Sequence, residues 1–192
     1  MKKRLSHLSI AAIVFVGTFS AQAALTPLQE KVKSVMEMEH RTEKEMKRDR
    51  NRDPIRALEF FGLKENMKVI EFAPGNGWYT KILAPVLNKK GELHLAYKSE
   101  WLNEMNELLA IDSFSSTKKL PIALDWNNDE RRYQLGSLSF GMSDADMVLN
   151  IREYHNFNQE DKNKLNKASF AALKSDGIYV IVDHSRRHMA PE

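Results

Sequence analysis

The stretch Val69-Ile70-Glu71-Phe72-Ala73-Pro74-Gly75-Asn76-Gly77-Trp78-Tyr79-Thr80 decides the fold. It contains an apolar strand with an acidic residue near its end, then a glycine-containing loop and the start of a helix. This order is typical of doubly wound α/β proteins, which bind a nucleotide-like ligand at the carboxyl end of the first strand. Gly75 and Gly77 permit backbone conformations that other residues avoid, so a ligand can approach the main chain. A tight strand-to-helix turn without a ligand is the alternative interpretation.

The rest of the chain alternates predicted strands and helices. The predicted strands cover residues 67–72, 93–97, 120–124, 146–151 and 178–182. Helices are expected over about 26–50, from Asp53-Pro54, over 78–87, over 100–111 with Ser99 as cap, and from Asn158. The polar segment 125–144 is predicted to be a loop. Such alternation indicates an α/β fold with a Rossmann-like, doubly wound and mostly parallel sheet of about five strands.

The first 23 residues have the features of a secretory signal peptide. Lys2, Lys3 and Arg4 precede an apolar run over 8–19, and Ala21-Gln22-Ala23 offers a cleavage site. The apolar run is short for a membrane span, although an uncleaved anchor is the alternative. We therefore expect an exported protein, in the periplasm, with residues 24–192 as a single domain that begins with a helical extension over about 26–62.

The charge balance gives no reason to expect nucleic acid as a partner. The whole chain has 29 basic and 26 acidic residues, and three of the basic residues lie in the predicted signal peptide. The remaining chain is therefore formally neutral, which also argues against an anionic membrane surface as partner. The chain contains no cysteine, so a lipoprotein anchor is excluded.

The opening stretch resembles motif I of the class I S-adenosylmethionine-dependent methyltransferases, (D/E)-x-G-x-G-x-G. Glu71 matches the acid, Gly75 and Gly77 match two of the glycines, and Ala73 replaces the first glycine. The resemblance implies S-adenosylmethionine as cofactor. It also implies a cofactor site formed by Glu71, Pro74, Gly75, Gly77 and Trp78. Core packing is the alternative role for Trp78.

A wider pattern over about residues 40–185 is similar to a bacterial group of exported methyltransferase-like proteins. It comprises Arg48-Asp49, Arg52-Asp53-Pro54, residues 58–63, Asn150-x-Arg152-x-x-His155-Asn156 and Val182-Asp183-His184. The resemblance implies methyl transfer to an acceptor that the sequence does not identify. Class I enzymes continue past the fifth strand with an antiparallel pair that is missing here. The apolar last strand would then lie at a sheet edge, which proteins normally cover. A partner, the tail or a C-terminally shortened fold can each account for it, and we favour the shortened fold.

Two positions bear on how the cofactor would be held. Class I enzymes usually end their second strand with an acid that binds the ribose hydroxyls, but this chain has Ala96-Tyr97-Lys98 there. Asp125 follows the predicted third strand, where the family often has an acid near the adenine. Asp125 is therefore a candidate cofactor contact, with an ordinary loop aspartate as the alternative.

The candidate catalytic residues are Asn150, Arg152 and His155, which follow the predicted fourth strand. Ligands of open α/β sheets bind at this side of the sheet. A histidine can act as general base, an asparagine can orient a substrate, and an arginine can bind an acidic group. The alternative is that Asn150 and Arg152 only satisfy local backbone and charge partners.

Two further features leave alternatives open. The charged run over 44–52 is either a solvated helix face or a lid that places an Arg or Asp over the pocket. His184 and His188 have the spacing of a helical metal pair, but they follow a strand and have no clear third ligand, so no metal site is predicted.

Three functional classes compete. The leading hypothesis is a methyltransferase. A binding or scaffold protein that keeps the fold is favoured by export away from cytoplasmic cofactor and by the missing strand-two acid. A nicotinamide-dependent dehydrogenase is weak, because the loop lacks the G-x-G-x-x-G spacing.

Overall fold

The computed structural model describes residues 24–184, so the predicted signal peptide and His188 lie outside the described residues. The strands are β1 Lys68–Phe72, β2 Glu92–Tyr97, β3 Thr117–Pro121, β4 Leu124–Asn127, β5 Arg132–Leu135, β6 Ala145–Ile151 and β7 Leu173–Val182. Five of them form a parallel sheet in the order β3-β2-β1-β6-β7. The predicted parallel α/β sheet is confirmed. The strand order reverses direction between β1 and β6, so the carboxyl end of β1 lies at a topological switch point.

The helices flank this sheet and connect its strands. They are α1 Pro27–Met36, α2 Glu43–Met46, α3 Asp49–Arg52, α4 Pro54–Phe60, α5 Thr80–Leu87, α6 Ser99–Glu104, α7 Asn106–Leu109 and α8 Gln159–Ala172. Asp53 caps α4 and Asn158 caps α8, as the sequence predicts. None of the helices between residues 24 and 184 combines the length and apolar character that a membrane crossing requires.

The predicted single helix over 26–50 is wrong, because the segment forms three separate helices. Thr26 begins α1 with a capping box that involves Gln29, and Thr42 begins α2 with a second capping box that involves Glu45. A capping box satisfies the first free N–H groups of a helix, so Thr42 stabilises a new helix start.

The predicted loop over 125–144 is also wrong in part, because β4 and β5 form an antiparallel hairpin there. The side chain of Asn127 accepts hydrogen bonds from the backbone N–H groups of Asp129 and Glu130, which stabilises the turn. Tyr133 of β5 is buried and stacks on Phe157, with ring centroids 5.1 Å apart. The hairpin therefore depends on a contact between distant parts of the chain.

Two other boundaries differ from the sequence prediction. Ser99 is the first residue of α6 and makes no capping hydrogen bond, and the predicted 100–111 helix is divided into α6 and α7. The last strand starts at Leu173 rather than 178, with an irregular register opposite Ala145 and Met147. At that irregularity Gly177 approaches Ala145 so closely that a Cβ would lie 2.9 Å from its carbonyl oxygen.

Helix α5 contains Pro85, yet it continues to Leu87. A proline in a helix cannot donate to the carbonyl four residues earlier, which here is that of Lys81. The Nε2 atom of His40 lies 2.7 Å from the Lys81 carbonyl oxygen and takes the place of that donor. The N-terminal segment therefore packs on α5 through a specific polar contact as well as through apolar side chains.

Strand β7 is at the edge of the sheet formed by the described residues. Its side chains Ile178 and Ile181 are 40% and 42% exposed. An apolar edge strand is a surface that proteins normally pair or cover. The predicted partner for this strand stays a prediction.

Candidate functional site

The loop after β1 leaves the sheet through three left-handed residues. Ala73, Gly75 and Gly77 have φ angles of +49°, +57° and +71°. The Ala73 N–H donates to the Ala96 carbonyl of β2 at 2.9 Å, and the Gly77 N–H donates to the Pro74 carbonyl at 3.0 Å. These positions are those of the three glycines in the predicted motif, and Ala73 adopts the conformation that favours glycine.

The two glycines have different surroundings. A Cβ on Gly75 would meet no atom within 4 Å, whereas a Cβ on Gly77 would lie 2.9 Å from the Met105 methyl group. Gly77 therefore lets the α6–α7 region pack on the loop. Gly75 leaves open space above the loop, where a ligand can approach the backbone.

Two cavities meet at Gly75 and Asn76. The first has a volume of about 340 Å³ and reaches from the end of β1 to the end of β6. Besides the loop, Glu71, Trp78 and Tyr79, its wall includes Arg48, Arg52, Ile151, Arg152, Glu153, His155 and His184. The second has a volume of about 470 Å³ and is lined by Lys81, Tyr97, Trp101, Glu104, Met105 and Leu108. Both volumes are in the range of small-molecule sites.

Glu71 is a buried carboxyl group in the wall of the first cavity, with 4% of its surface exposed. The Thr80 hydroxyl donates a hydrogen bond to Glu71 Oε2 at 2.7 Å. Burial raises the pKa of Glu71 to about 7, although the hydrogen bonds from Thr80 act in the opposite direction. A positively charged group beside Glu71 would favour the ionised form of this carboxyl.

Pro74 and Trp78 also line the first cavity, whereas Gly77 lines neither. Trp78 is mostly buried, and its indole N–H donates to the Glu45 carbonyl at 3.1 Å. The tryptophan thus joins the N-terminal segment to the loop. Both the predicted site role and the alternative packing role of Trp78 are compatible with this position.

His155 forms a pair with Asp183, which follows β7. The two Asp183 oxygens accept hydrogen bonds from His155 Nδ1 and from the His155 backbone N–H, both at 2.7 Å. Burial alone would raise the pKa of Asp183, but the N–H groups of His184 and His155 outweigh it and lower the pKa. Asp183 therefore fixes the imidazole with Nε2 as its free nitrogen, an arrangement suited to a general base.

Arg152 lies beside this pair in a left-handed conformation, with φ of +68°. Its backbone N–H donates to the Val182 carbonyl at 2.6 Å, and its Nη2 lies 3.2 Å from His184 Nε2. The structure thus brings two of the three predicted catalytic residues, Arg152 and His155, to the wall of one cavity.

Asn150 is placed differently from the other two. Its side chain is fully buried and lines neither cavity, and its amide nitrogen and oxygen have no hydrogen-bond partner among the described residues. The predicted role of Asn150 in orienting a substrate stays a prediction without a cavity contact to support it.

Asp125 also lines neither cavity. It is exposed on β4, and one of its oxygens lies 2.6 Å from Lys98 Nζ. Its role near an adenine stays a prediction. The carboxylate that does line the second cavity belongs to Glu104 of α6. The spacing of Trp101 and Glu104 is the signal that places these two together, because residues three apart share a helix face.

Three residues of the site have no assigned role in the sequence prediction: Arg48 and Arg52, which belong to the possible lid, and Asp183, which follows the last predicted strand. The two arginines belong to the charged run over 44–52 and line the first cavity, an arrangement that favours the lid alternative over a purely solvated face. Asp183 is recognisable only after the ends of β6 and β7 are known to be adjacent.

Donor atoms of His155, Asp183 and His184 lie within 4.8 Å of one another, which is a spacing that a metal ion can use. However, both Asp183 oxygens already accept N–H groups, and the Arg152 guanidinium lies 3.2 Å from His184 Nε2. A cation next to a guanidinium is unfavourable. These residues are therefore described as a histidine–aspartate pair beside an arginine, and no metal is assigned to them.

Comparison with known proteins decides the fold but not the family. No protein-family model and no curated protein matches the chain. Among solved structures, an S-adenosylmethionine-dependent methyltransferase from Aquifex aeolicus superposes with a TM-score of 0.58 at 19% identity, over 85% of this chain and 77% of that one. The chain has a methyltransferase-like fold.

Two other similar structures have lower scores. A putative O-methyltransferase from Nostoc punctiforme has a TM-score of 0.49 at 17% identity, over 65% of this chain and 34% of that chain. An O-methyltransferase family protein from Burkholderia thailandensis has a TM-score of 0.47 at 15% identity, over 80% and 36%. This chain thus spans about a third of these two proteins.

Ala73→Gly is expected to stabilise the protein by about 1 kcal/mol. Glycine adopts the left-handed conformation without the steric strain that alanine has there. The only opposing effect is the larger conformational entropy of glycine in the unfolded chain. Ala84→Gly, in the buried interior of α5, is the matched control and should destabilise by about 1 kcal/mol. Denaturant unfolding of both variants measures the effect, and a destabilised Ala73→Gly protein would contradict a strained loop.

Glu71→Gln is expected to change how stability depends on pH. The folded-state pKa of Glu71 is about 7, above the ordinary value of 4.5, so the wild type loses stability as pH rises between these values. Between pH 4.5 and 8 the unfolding free energy of the variant should rise relative to that of the wild type, by at most about 3 kcal/mol. Parallel urea titrations measure this, and a pH-independent difference would show that Glu71 does not titrate in this range.

Proposed function

We propose that this protein is an exported enzyme that binds S-adenosylmethionine and transfers its methyl group to an acceptor. The observation that carries the proposal is the left-handed loop at the switch point, where two cavities meet beside a histidine–aspartate pair. Loops of this kind let a ligand lie against the backbone. The methyltransferases of similar fold support the same function.

The residues of the loop fit the methionine half of the cofactor. Gly75 leaves room for a ligand, because a Cβ there would meet nothing within 4 Å. The buried carboxyl of Glu71 is suited to the ammonium group of an amino acid, since a neighbouring positive charge favours its ionised form. Pro74 and Trp78 would complete this part of the site.

The second cavity fits the adenosine half. Tyr97 and Trp101 contact each other with ring centroids 4.6 Å apart, and both line the cavity. Aromatic side chains of this kind bind a base through stacking. Glu104 would accept hydrogen bonds from the ribose hydroxyls, and so replace the acid that is missing at the end of β2.

When bound, S-adenosylmethionine supplies a methyl group to a nucleophile. In the first cavity His155 Nε2 would take the proton that the acceptor loses, and Asp183 would stabilise the imidazolium that results. The walls of the cavity would position the acceptor, which is a large part of catalysis in a displacement reaction.

A non-catalytic binding protein with the same fold is the second candidate function. It is favoured by the aromatic end of β2 and by the burial of Asn150 away from both cavities. Export is part of the proposal for either function, with the periplasm as the expected compartment. Under the first function the acceptor is a small molecule, a lipid quinone or a protein side chain.

Gly75→Arg is expected to abolish binding of S-adenosylmethionine and S-adenosylhomocysteine, because its side chain would occupy the space where the two cavities meet. Gly141→Arg is the matched control. Gly141 also has a left-handed backbone and open space around its Cβ, but it lines neither cavity. Calorimetric titration of the wild type and both variants measures binding, and circular dichroism confirms that each is folded.

The wild type and Gly141→Arg should both release heat with S-adenosylhomocysteine, and Gly75→Arg should not. A folded wild type that binds neither ligand at millimolar concentration would refute the proposed function. Equal binding by the wild type and by Gly75→Arg would show that the cofactor binds elsewhere.

Glu104→Gln is expected to weaken S-adenosylhomocysteine binding by about tenfold or more, because a carboxylate that accepts from two hydroxyls is a stronger partner than an amide. Glu107→Gln is the control, since Glu107 is nearby on α7 but does not line the cavity. Adenine has no ribose hydroxyls to donate to Glu104, so its affinity should be the same for the wild type and for Glu104→Gln. Equal loss for adenine would instead indicate a general disturbance of the cavity.

A further inference from the structure

Three arginines from two separate segments converge on the first cavity. Arg48 and Arg52 come from the start and the end of α3, and Arg152 follows β6. Burial lowers the pKa of Arg52, and the positive charges of Arg48 and Arg152 lower it further. The Arg52 guanidinium is therefore close enough to Arg48 and to Arg152 to be repelled by both.

None of these three arginines has a carboxylate partner among residues 24–184. The arginine ion pairs in that part of the chain belong to Arg41, Arg56 and Arg132, which pair with Asp49, Asp53 and Glu130. In addition, the Nε atom of Arg52 is buried without a hydrogen-bond partner. Clustered positive charges and a buried free donor are unfavourable unless an anion satisfies them.

Two of the three guanidinium groups have ordering contacts. The Arg52 guanidinium lies over the Trp78 ring at 4.3 Å from its centroid, and Arg152 Nη2 lies 3.2 Å from His184 Nε2. The chain just before Arg48 is anchored by Glu45 of α2, whose carbonyl accepts from Trp78 and whose carboxylate pairs with Lys81. Arginines that are already ordered lose less entropy when they bind a planar or tetrahedral anion.

The carboxyl groups of the cavity do not neutralise this charge. Glu71 is hydrogen-bonded to Thr80, and its pKa is about 7. Burial also raises the pKa of Glu153, the other acid of the wall, and neither carboxyl forms an ion pair with any of the three arginines. The chain as a whole is nearly balanced in charge, whereas this cavity is locally positive.

We propose that Arg48, Arg52 and Arg152 bind an anionic group of the methyl acceptor, either a carboxylate or a phosphate. The inference rests on the proposed function, because it assigns the anion to the acceptor. The three arginines share the cavity with His155, so they would hold the acceptor next to the general base. The carboxylate of the cofactor's own amino acid has the same chemistry, and the experiment separates the two sources.

The test is calorimetric titration of the protein with inorganic phosphate, once without and once with saturating S-adenosylhomocysteine. Phosphate should bind in both cases. Arg52→Gln and Arg152→Gln should each weaken it by about tenfold or more, because each removes a charge-assisted contact. Arg48 is exposed, so Arg48→Gln should keep the fold and still weaken phosphate binding. Arg50→Gln, on the same helix but outside the cavity, is the matched control and should have no effect.

Each other outcome has a defined meaning. Phosphate that fails to bind the folded wild type, or that binds all variants equally, overturns the proposed anion site. Phosphate that is displaced by S-adenosylhomocysteine shows that the arginines hold the cofactor's carboxylate, which overturns the assignment to the acceptor. Arginine-dependent phosphate binding by a protein that does not bind S-adenosylhomocysteine supports the anion site and refutes the methyltransferase proposal separately.

Discussion

The architecture of the site depends on how the chain leaves β1. This strand is in the middle of a parallel sheet, and the loop after it must turn away at the point where the strand order reverses. Left-handed conformations at Ala73, Gly75 and Gly77 make that turn, and the hydrogen bond from Ala73 to Ala96 attaches the loop to β2. The same turn separates the space above the sheet into two cavities. The loop therefore determines both the position and the shape of the site.

The electrostatics of the site follow from burial and from the charges around it. Glu71 lies in the core because β1 is buried on both faces, and the resulting loss of hydration moves its pKa to about 7. On the other side of the cavity Arg52 is stacked on Trp78, and Arg152 is fixed beside the histidine–aspartate pair. The net charge of the chain is near zero and does not reveal this separation of acidic and basic groups. Acids and bases are paired elsewhere in the protein, whereas they are unevenly distributed around this cavity. A balanced composition is therefore compatible with a small basic cavity.

The sequence predicts those parts of the fold that local pattern determines. Continuous apolar runs identify β1 and β6, and Asp53 with Pro54 marks the start of α4. The hairpin of β4 and β5 was missed because Tyr133 is buried by stacking on the distant Phe157. Asp183 and Glu104 were missed as site residues for a similar reason: their positions depend on which strand ends and helix faces become neighbours. Conversely, Asn150 has the right place in the sequence, but its side chain is fully buried and lines neither cavity.

In the proposed cofactor site Glu104 takes the place of a strand-end acid, and this has a mechanical consequence. At the end of β2 Lys98 pairs with Asp125, so the carboxylate available to the second cavity is Glu104 of α6. The position of Glu104 depends on how α6 packs, and that region touches the loop where the Met105 methyl group would lie 2.9 Å from a Cβ on Gly77. A small shift of α6 would therefore move Glu104 and disturb the loop together. The two halves of a ligand that spans both cavities would be bound by one coupled unit, so affinity for either half should depend on the packing at Gly77 as well as on direct contacts.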